Sequence, residues 1–140
     1  MRFLLDTNVV SEWAKPLPDP GVMQWLYEAD EDSLFLSVIT LAELRFGVER
    51  LAAGERRTRL DVWIREELVG RFEGRILAVD EAVAEMWGQI LSSSESQGRR
   101  MNLMDCFLAA TAQVHSLTVV TRNQQDCAAF GRALNPWTGG

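Results

Sequence analysis

The sequence has 140 residues, 47% apolar and 24% charged, a globular composition that provides for one core and excludes a disordered or collagen-like chain. Fourteen basic against 20 acidic residues give a net charge of −6, with an isoelectric point near 4.8. That balance excludes a protein that grips nucleic acid by bulk positive charge, but not one that holds it through metal ions and a local basic patch. No apolar run reaches the ~18 residues of a membrane span, and the opening MRFLLDTNVV lacks the order of a signal peptide. Cys106 and Cys127 fit no zinc spacing. The expectation is one cytoplasmic domain over residues 1–140, with reduced thiols.

In chain order, residues 2–5 read as a short buried strand cut off by Asp6-Thr7-Asn8, with a short helix following through Trp13. Asp19-Pro20 is an N-cap followed by proline at the first helical position. It opens a helix through Val22, Met23, Trp25 and Leu26, which Asp30–Asp32 closes. Leu34-Phe35-Leu36 is a second strand. From Thr40, the apolar residues Leu41, Leu44, Val48 and Leu51 recur at helical spacing. After Gly54, a further helix carries Leu60, Trp63, Ile64 and Leu68, with Arg56, Arg57, Arg59 and Arg65 on its other sides. Residues 75–79 form a third strand, and Asp80 caps a helix with Val83, Met86, Trp87 and Ile90 inward. Ser92–Gly98 is a frayed helix end or a loop. Residues 102–114 are helical and 118–121 a fourth strand. Asn123–Phe130 is a short helix and 133–135 an edge strand. Short apolar strands alternating with helices specify a mainly parallel sheet of four to five strands, covered on both faces: a three-layer α/β/α sandwich. Functional groups in such sheets gather beyond the carboxyl ends of the strands.

Four acids fall in that zone: Asp6, Glu43, Asp105 and Asp126. Taken singly, three have a capping explanation. Thr40-x-x-Glu43 has the spacing of a capping box, and Asn102-x-x-Asp105 and Asn123-x-x-Asp126 are looser forms of it. Asp6 follows a strand with no evident helix to cap, though a turn would accommodate it. Together, four carboxylates at one sheet edge repel: two unit charges ~5 Å apart at an effective dielectric near 20 cost about 3 kcal/mol. A divalent cation relieves this, and a set of hard oxygen ligands without histidine or cysteine selects Mg²⁺ or Mn²⁺ over zinc. The usual chemistry of such a cluster is phosphoryl transfer or phosphodiester hydrolysis.

The segments LLDTNVVSE (4–12), SVITLAELRFG (37–47), MDCFLAATA (104–112) and TRNQQD (121–126), followed by NPW (135–137), together resemble the PIN-domain ribonucleases. They are most similar to VapC toxins of bacterial toxin–antitoxin pairs, in a FitB-like subgroup. The resemblance covers nearly the whole chain. It implies the same α/β/α fold, an acidic Mg²⁺ site and cleavage of RNA. By motif, Asp6 and Asp105 would be direct metal ligands. Glu43 and Asp126 would complete the pocket, and Asn8, Thr121 and Asn123 would be supporting polar groups. A small VapB-like antitoxin and a homodimer are the implied partners, with no membrane association. Two positions depart from the usual pattern. Asn102 stands where many relatives carry Pro or Ser, and Cys127 replaces an aromatic residue after the last acid.

Two other readings compete. LLDTNVV is also similar to the D-x-D-x-[TV] motif of haloacid-dehalogenase-like phosphatases, with Asp6 as nucleophile. There the general acid would be Asn8, and the only lysine of the chain, Lys15, lies too early. A catalytically silent binding partner in a repressor complex is the second alternative, and the presence of all four acids speaks against decay. The one histidine, His115, sits at a helix end and reads as a surface or dipole-satisfied residue. Arg99, Arg100 and the arginines at 56, 57, 59 and 65 read first as a solvated face and second as a phosphate-gripping patch. Trp13 and Trp25 are candidates for an exposed apolar groove.

Overall fold

The structure, a computed structural model, describes residues 1–124 and 131–138. Five strands, β1 (Phe3–Leu5), β2 (Leu34–Ser37), β3 (Ile76–Leu77), β4 (Thr118–Val120) and β5 (Ala133–Leu134), form a wholly parallel sheet in the order β3-β2-β1-β4-β5. Alternation along each strand sorts side chains onto two faces. Phe3, Leu5, Leu34, Leu36, Ile76, Val120 and Leu134 join one apolar cluster. Leu4, Phe35, Leu77, Val119 and Ala133 join the other. Both faces are covered by helices, as the apolar runs require. Each fully buried leucine or valine contributes roughly 1.5–3 kcal/mol.

The first face is covered by α1 (Thr7–Glu12), α2 (Pro20–Glu28) and α3 (Val38–Glu49). It is completed by α4 (Glu55–Val62), which continues through a π-helical stretch (Trp63–Leu68) into α5 (Val69–Arg71). The second face is covered by α7 (Leu103–His115), against which α6 (Glu81–Ser96) packs through Val83, Ile90, Cys106, Ala109 and Ala110. No helix among the described residues is long and apolar enough to cross a membrane.

Three predicted caps form. The side chains of Asp19, Asp80 and Asn102 accept from the N–H groups of Val22 (3.1 Å), Val83 (3.0 Å) and Met104 (2.8 Å). Two expectations fail. Asp6 is itself an N-cap, its Oδ1 accepting from Thr7 N at 2.6 Å. Thr40 is not a cap: β2 runs into α3 without a loop, and Ser37 caps it by accepting from Ile39 N at 3.0 Å. Thr40 and Glu43 therefore lie inside α3, and the spacing is not a capping box. The third strand pairs only over Ile76–Leu77, because it is the sheet edge and the chain turns away toward Asp80. Ser92–Gly98 resolves as the helical end of α6, which Gly98 terminates at φ 73°. Of the expected helix over Asn123–Phe130, residues 125–130 lie outside the described residues.

A polar clasp joins the first helices to the C-terminal segment. The carboxylate of Glu12, only 2% exposed, accepts from Asp19 N at 2.7 Å through Oε1. Its Oε2 pairs with the Lys15 ammonium and has no other donor among the described residues. Asp19 in turn accepts from Thr138 Oγ1 at 2.6 Å and from Thr138 N at 3.2 Å. The backbones approach so closely that a Cβ at Gly21 would meet Pro136 O at 2.5 Å.

Burial alone would raise the Glu12 carboxyl; Lys15 and the Asp19 N–H outweigh it and hold the pKa below the ordinary glutamate value. A carboxyl pKa lowered by folding contributes stability above the unfolded-state value and loses it as pH falls through the folded value. Glu12→Gln should therefore lower the Tm at pH 7 by an amount worth about 1–3 kcal/mol. The gap to wild type should close as pH falls below about 5. Parallel melting series of the two proteins check this, and a gap independent of pH would refute it.

Candidate functional site

The strand order reverses direction at β1: β2 and β3 lie on one side, β4 and β5 on the other. The crevice at such a switch point opens beyond the carboxyl ends of β1 and β4. Asp6 follows β1, and Thr121 follows β4. Thr121 Oγ1 donates to Asp6 Oδ2 at 2.7 Å and accepts from Asn123 N at 3.0 Å. Asp6 N donates to Val120 O at 3.0 Å, fixing the backbone beneath the carboxylate.

Helix starts gather at the same edge. α1 and α3 leave directly from β1 and β2. α7 runs back over the sheet to β4, so its first turn lies at the carboxyl edge. Its 13 residues span about 20 Å at 1.5 Å per residue, against roughly 10 Å for β4. The Asn102 side chain fixes that turn, accepting from Asp105 N at 3.3 Å as well as from Met104 N. The amino-terminal ends of α3 and α7 turn positive partial charge toward the edge, which favours anions.

Among the predicted site residues, the structure ties Asp6, Thr121 and Asn123 into one hydrogen-bonded set. It brings Glu43 to Asp6 through Thr7, whose Oγ1 donates to Glu43 Oε1 at 2.5 Å. Asp105 stands in the first turn of α7. Asn8 lies in α1, and its buried Oδ1 has no donor among the described residues. Asp126 and Cys127 fall outside the described residues. Among the described residues, no three histidine, cysteine, aspartate or glutamate side chains form a set placed to hold a metal ion. Sequence reasoning missed Thr7. Its only signal is its place between Asp6 and Asn8, since a lone threonine in a helical turn has no periodic signature.

The electrostatics fit a hard cation. Asp6 is 5% exposed, and burial raises its pKa above the ordinary aspartate value despite the hydrogen bonds from Thr121 and Thr7. Among the described residues, no lysine or arginine forms an ion pair with Asp6 or Glu43. A buried carboxylate without a counter-cation among the described residues offers hard oxygen ligation, which suits Mg²⁺ or Mn²⁺.

Elsewhere, the candidates resolve as structural. Arg57 pairs with Glu49, and Arg65 with Asp61, whose carboxyl Arg65 and Arg45 hold below the ordinary aspartate value. Cys106 is buried, its thiol pushed up to about 11 by burial, which makes it inert. His115 ends α7, and its carbonyl accepts from Arg2 at 2.8 Å. Trp25 does not line a groove: its ring meets Phe3 edge-on at 4.9 Å and packs on the core. The groove on this face, about 390 Å³, is lined by Trp13, Met23, Leu26, Tyr27 and Arg71, with Pro20 and Gln24.

Comparison with known proteins places these features. The PIN domain family profile matches residues 3–130. The chain is 42% identical over 135 residues to Toxin FitB of Neisseria gonorrhoeae, covering 96% of this chain and 97% of that one. It is 36% identical over 135 residues to VapC ribonuclease Y4jK of Sinorhizobium fredii, covering 96% of each. In structure it is similar to FitAB bound to the IR36 DNA fragment, with a TM-score of 0.92 and 39% identity over 97% of this chain and 96% of that one.

Charge, more than shape, makes Asp6 unfavourable to bury. Asp6→Asn keeps an oxygen to accept from Thr7 N. It should therefore raise the Tm of the EDTA-treated protein by an amount worth about 1–2 kcal/mol. Mg²⁺ should raise the Tm of the wild type by mass action and leave the variant unmoved. Thermal melts in EDTA and in Mg²⁺ decide it; a variant that melts lower in EDTA shows that the carboxylate serves mainly as a cap.

Proposed function

The chain belongs to the PIN-domain family, and on that footing we propose that it is a Mg²⁺-dependent endoribonuclease, the toxin of a type II toxin–antitoxin pair. The observation that carries the reading is the Asp6 carboxylate, buried at the switch point, bound by Thr121 and unpaired with any cation among the described residues. In this reading, Asp6 and Asp105 ligate the metal directly, and Glu43 and Asp126 complete the pocket. Mn²⁺ would substitute for Mg²⁺ in the same oxygen set. A divalent cation bound there supplies Lewis acidity toward a scissile phosphodiester. The protein's own contribution is positional. Thr121 holds one Asp6 oxygen and Thr7 N the other, so the carboxylate has one orientation. Asn8 Oδ1 is available as an acceptor, and Asn123, through its N–H, keeps the Thr121 hydroxyl directed at Asp6. The alternative of a silent PIN-fold partner retains the fold and loses the chemistry, so a nuclease assay separates the two.

RNA should be cleaved in Mg²⁺ or Mn²⁺ and left intact in EDTA. Asp6→Asn and Asp105→Asn should each lower cleavage by about a hundredfold or more, as removal of a group acting in the transition state does. Cleavage that survives EDTA or both substitutions would overturn the mechanism.

For the partner, the resemblance to toxin–antitoxin proteins supports a small VapB-like antitoxin, working in the cytoplasm on a homodimeric toxin. The groove that α2 forms with Trp13 and Arg71 suits an amphipathic helix from that antitoxin. Tyr27 is 88% exposed at its rim, so Tyr27→Asp leaves the core untouched. This variant should weaken antitoxin binding about tenfold or more with an unchanged Tm. Calorimetric titration of antitoxin into both proteins tests it, and equal affinities would place the partner elsewhere.

A further inference from the structure

Thr40-x-x-Glu43 has capping-box spacing, yet neither residue caps a helix. What the two share is Thr7, on a different helix. Thr7 Oγ1 lies 2.5 Å from Glu43 Oε1 and 3.4 Å from Thr40 Oγ1. Its backbone N–H donates to Asp6 Oδ1 at 2.6 Å. One residue thus addresses two carboxylates, with its main chain toward Asp6 and its side chain toward Glu43.

We propose that Thr7 is a positioning residue that locks Glu43 to Asp6, making the two acids a single preorganised unit. The inference rests on the nuclease reading above and goes beyond it by naming what sets the second acid in place. The proton count fixes the direction of each bond. An ionised carboxylate only accepts, so the single hydroxyl proton of Thr7 goes to Glu43, and the contact with Thr40 requires Thr40 to donate. The order is Thr40 to Thr7 to Glu43. Thr40 is fully buried, which fixes the first member of that chain. Glu43 is half-buried and has three side-chain torsions, so without this bond its carboxylate would sample several rotamers. A hydrogen bond to a charged acceptor is short and roughly twice as strong as a neutral one. Only Oε1 is engaged; Oε2 has no partner among the described residues and is left for a cation or water.

The same geometry accounts for the residue type. Serine would keep the hydroxyl. Valine would keep the shape and lose the donor, leaving the Glu43 carboxylate unanchored. The Thr7 amide would survive either change, so Asp6 keeps its cap.

The test compares Thr7→Val and Thr7→Ser, each in the wild-type and Glu43→Gln backgrounds. Its readouts are RNA cleavage, Mn²⁺ affinity by calorimetry, and Tm in EDTA. Thr7→Val should lower kcat about tenfold or more with KM for RNA within about twofold, as loss of a positioning interaction does. It should also weaken Mn²⁺ binding several-fold, with the EDTA Tm close to wild type. Thr7→Ser should restore both cleavage and Mn²⁺ affinity to within about threefold of wild type. In the Glu43→Gln background, Thr7→Val should add almost nothing, because the group it positions is gone. Wild-type levels in Thr7→Val, failure of serine to rescue, or independent losses in the double variant would each overturn the inference alone. A wild-type chain that neither cleaves RNA nor binds Mn²⁺ would overturn the nuclease reading and this inference with it.

Discussion

Asp6 follows β1 at the place where the strand order reverses within the parallel sheet, and its carboxylate is taken out of water there. An ionised carboxylate without partners in such a place costs several kcal/mol. The surroundings are organised around limiting that cost without removing the charge. Thr7 N and Thr121 Oγ1 each hold one oxygen. Asp6 N is tied to β4 through Val120 O. No arginine or lysine among the described residues neutralises the group. A fold concerned with stability alone would place an apolar residue or an ion pair at this position, so an acid without a counter-cation here is what the proposed metal-binding role calls for.

The helices share in that arrangement. α3 starts without a loop because Ser37 ends β2 and caps the helix in one residue. The absence of a loop places Glu43 in the second turn, near enough for Thr7 to reach. α7 must cross the whole sheet before feeding β4, and Asn102 fixes where it begins. Small residues make the crossing close: Ala109, Ala110 and Ala112 are buried between α6, the sheet and α7 itself. Two helix amino-terminal ends therefore face the acids from different elements, each stabilising negative charge by about 0.3–1 kcal/mol.

Much of this was legible in the sequence where one residue does one local job. Asp19-Pro20, Asp80 and Asn102 are read as caps from their own few neighbours, and they cap. Strand positions followed from short apolar runs, and the parallel order from their alternation with helices. The failures occur where a residue answers to a distant partner. Thr40 and Glu43 mimic a capping box because the spacing is identical, and only the third dimension shows that Thr7 connects them. Asp6 gives no capping signal in the sequence because the helix after it, six residues long, carries little periodic signal. Trp25 looked like a groove residue, yet on a helix it lies well round from Met23 and Tyr27, and its ring meets Phe3 instead. The π-helical stretch at Trp63–Leu68 has no local sequence signature at all.

Net charge is the remaining constraint on how an acidic chain meets a polyanion. At −6 the molecule as a whole repels RNA, so attraction has to come from where its arginines are left unneutralised. On the α3–α4 face three are engaged, Arg45 and Arg65 with Asp61 and Arg57 with Glu49, while Arg50, Arg56 and Arg59 form no ion pair among the described residues. Arg71 pairs with Glu31, and Arg75 donates to the carbonyls of Glu31, Leu34 and Arg71. The engaged cations stabilise the fold and present little net field. Arg99 and Arg100 are exposed in the segment between α6 and α7, directly before the helix that carries Asp105. Arg122 follows Thr121, its guanidinium 5.5 Å from the Trp137 ring centroid. None of the three forms an ion pair among the described residues. The total charge conceals this local detail: the segments on either side of α7's start and of Thr121 carry arginines without an ion pair among the described residues, so an acidic chain still offers a polyanion local positive charge there.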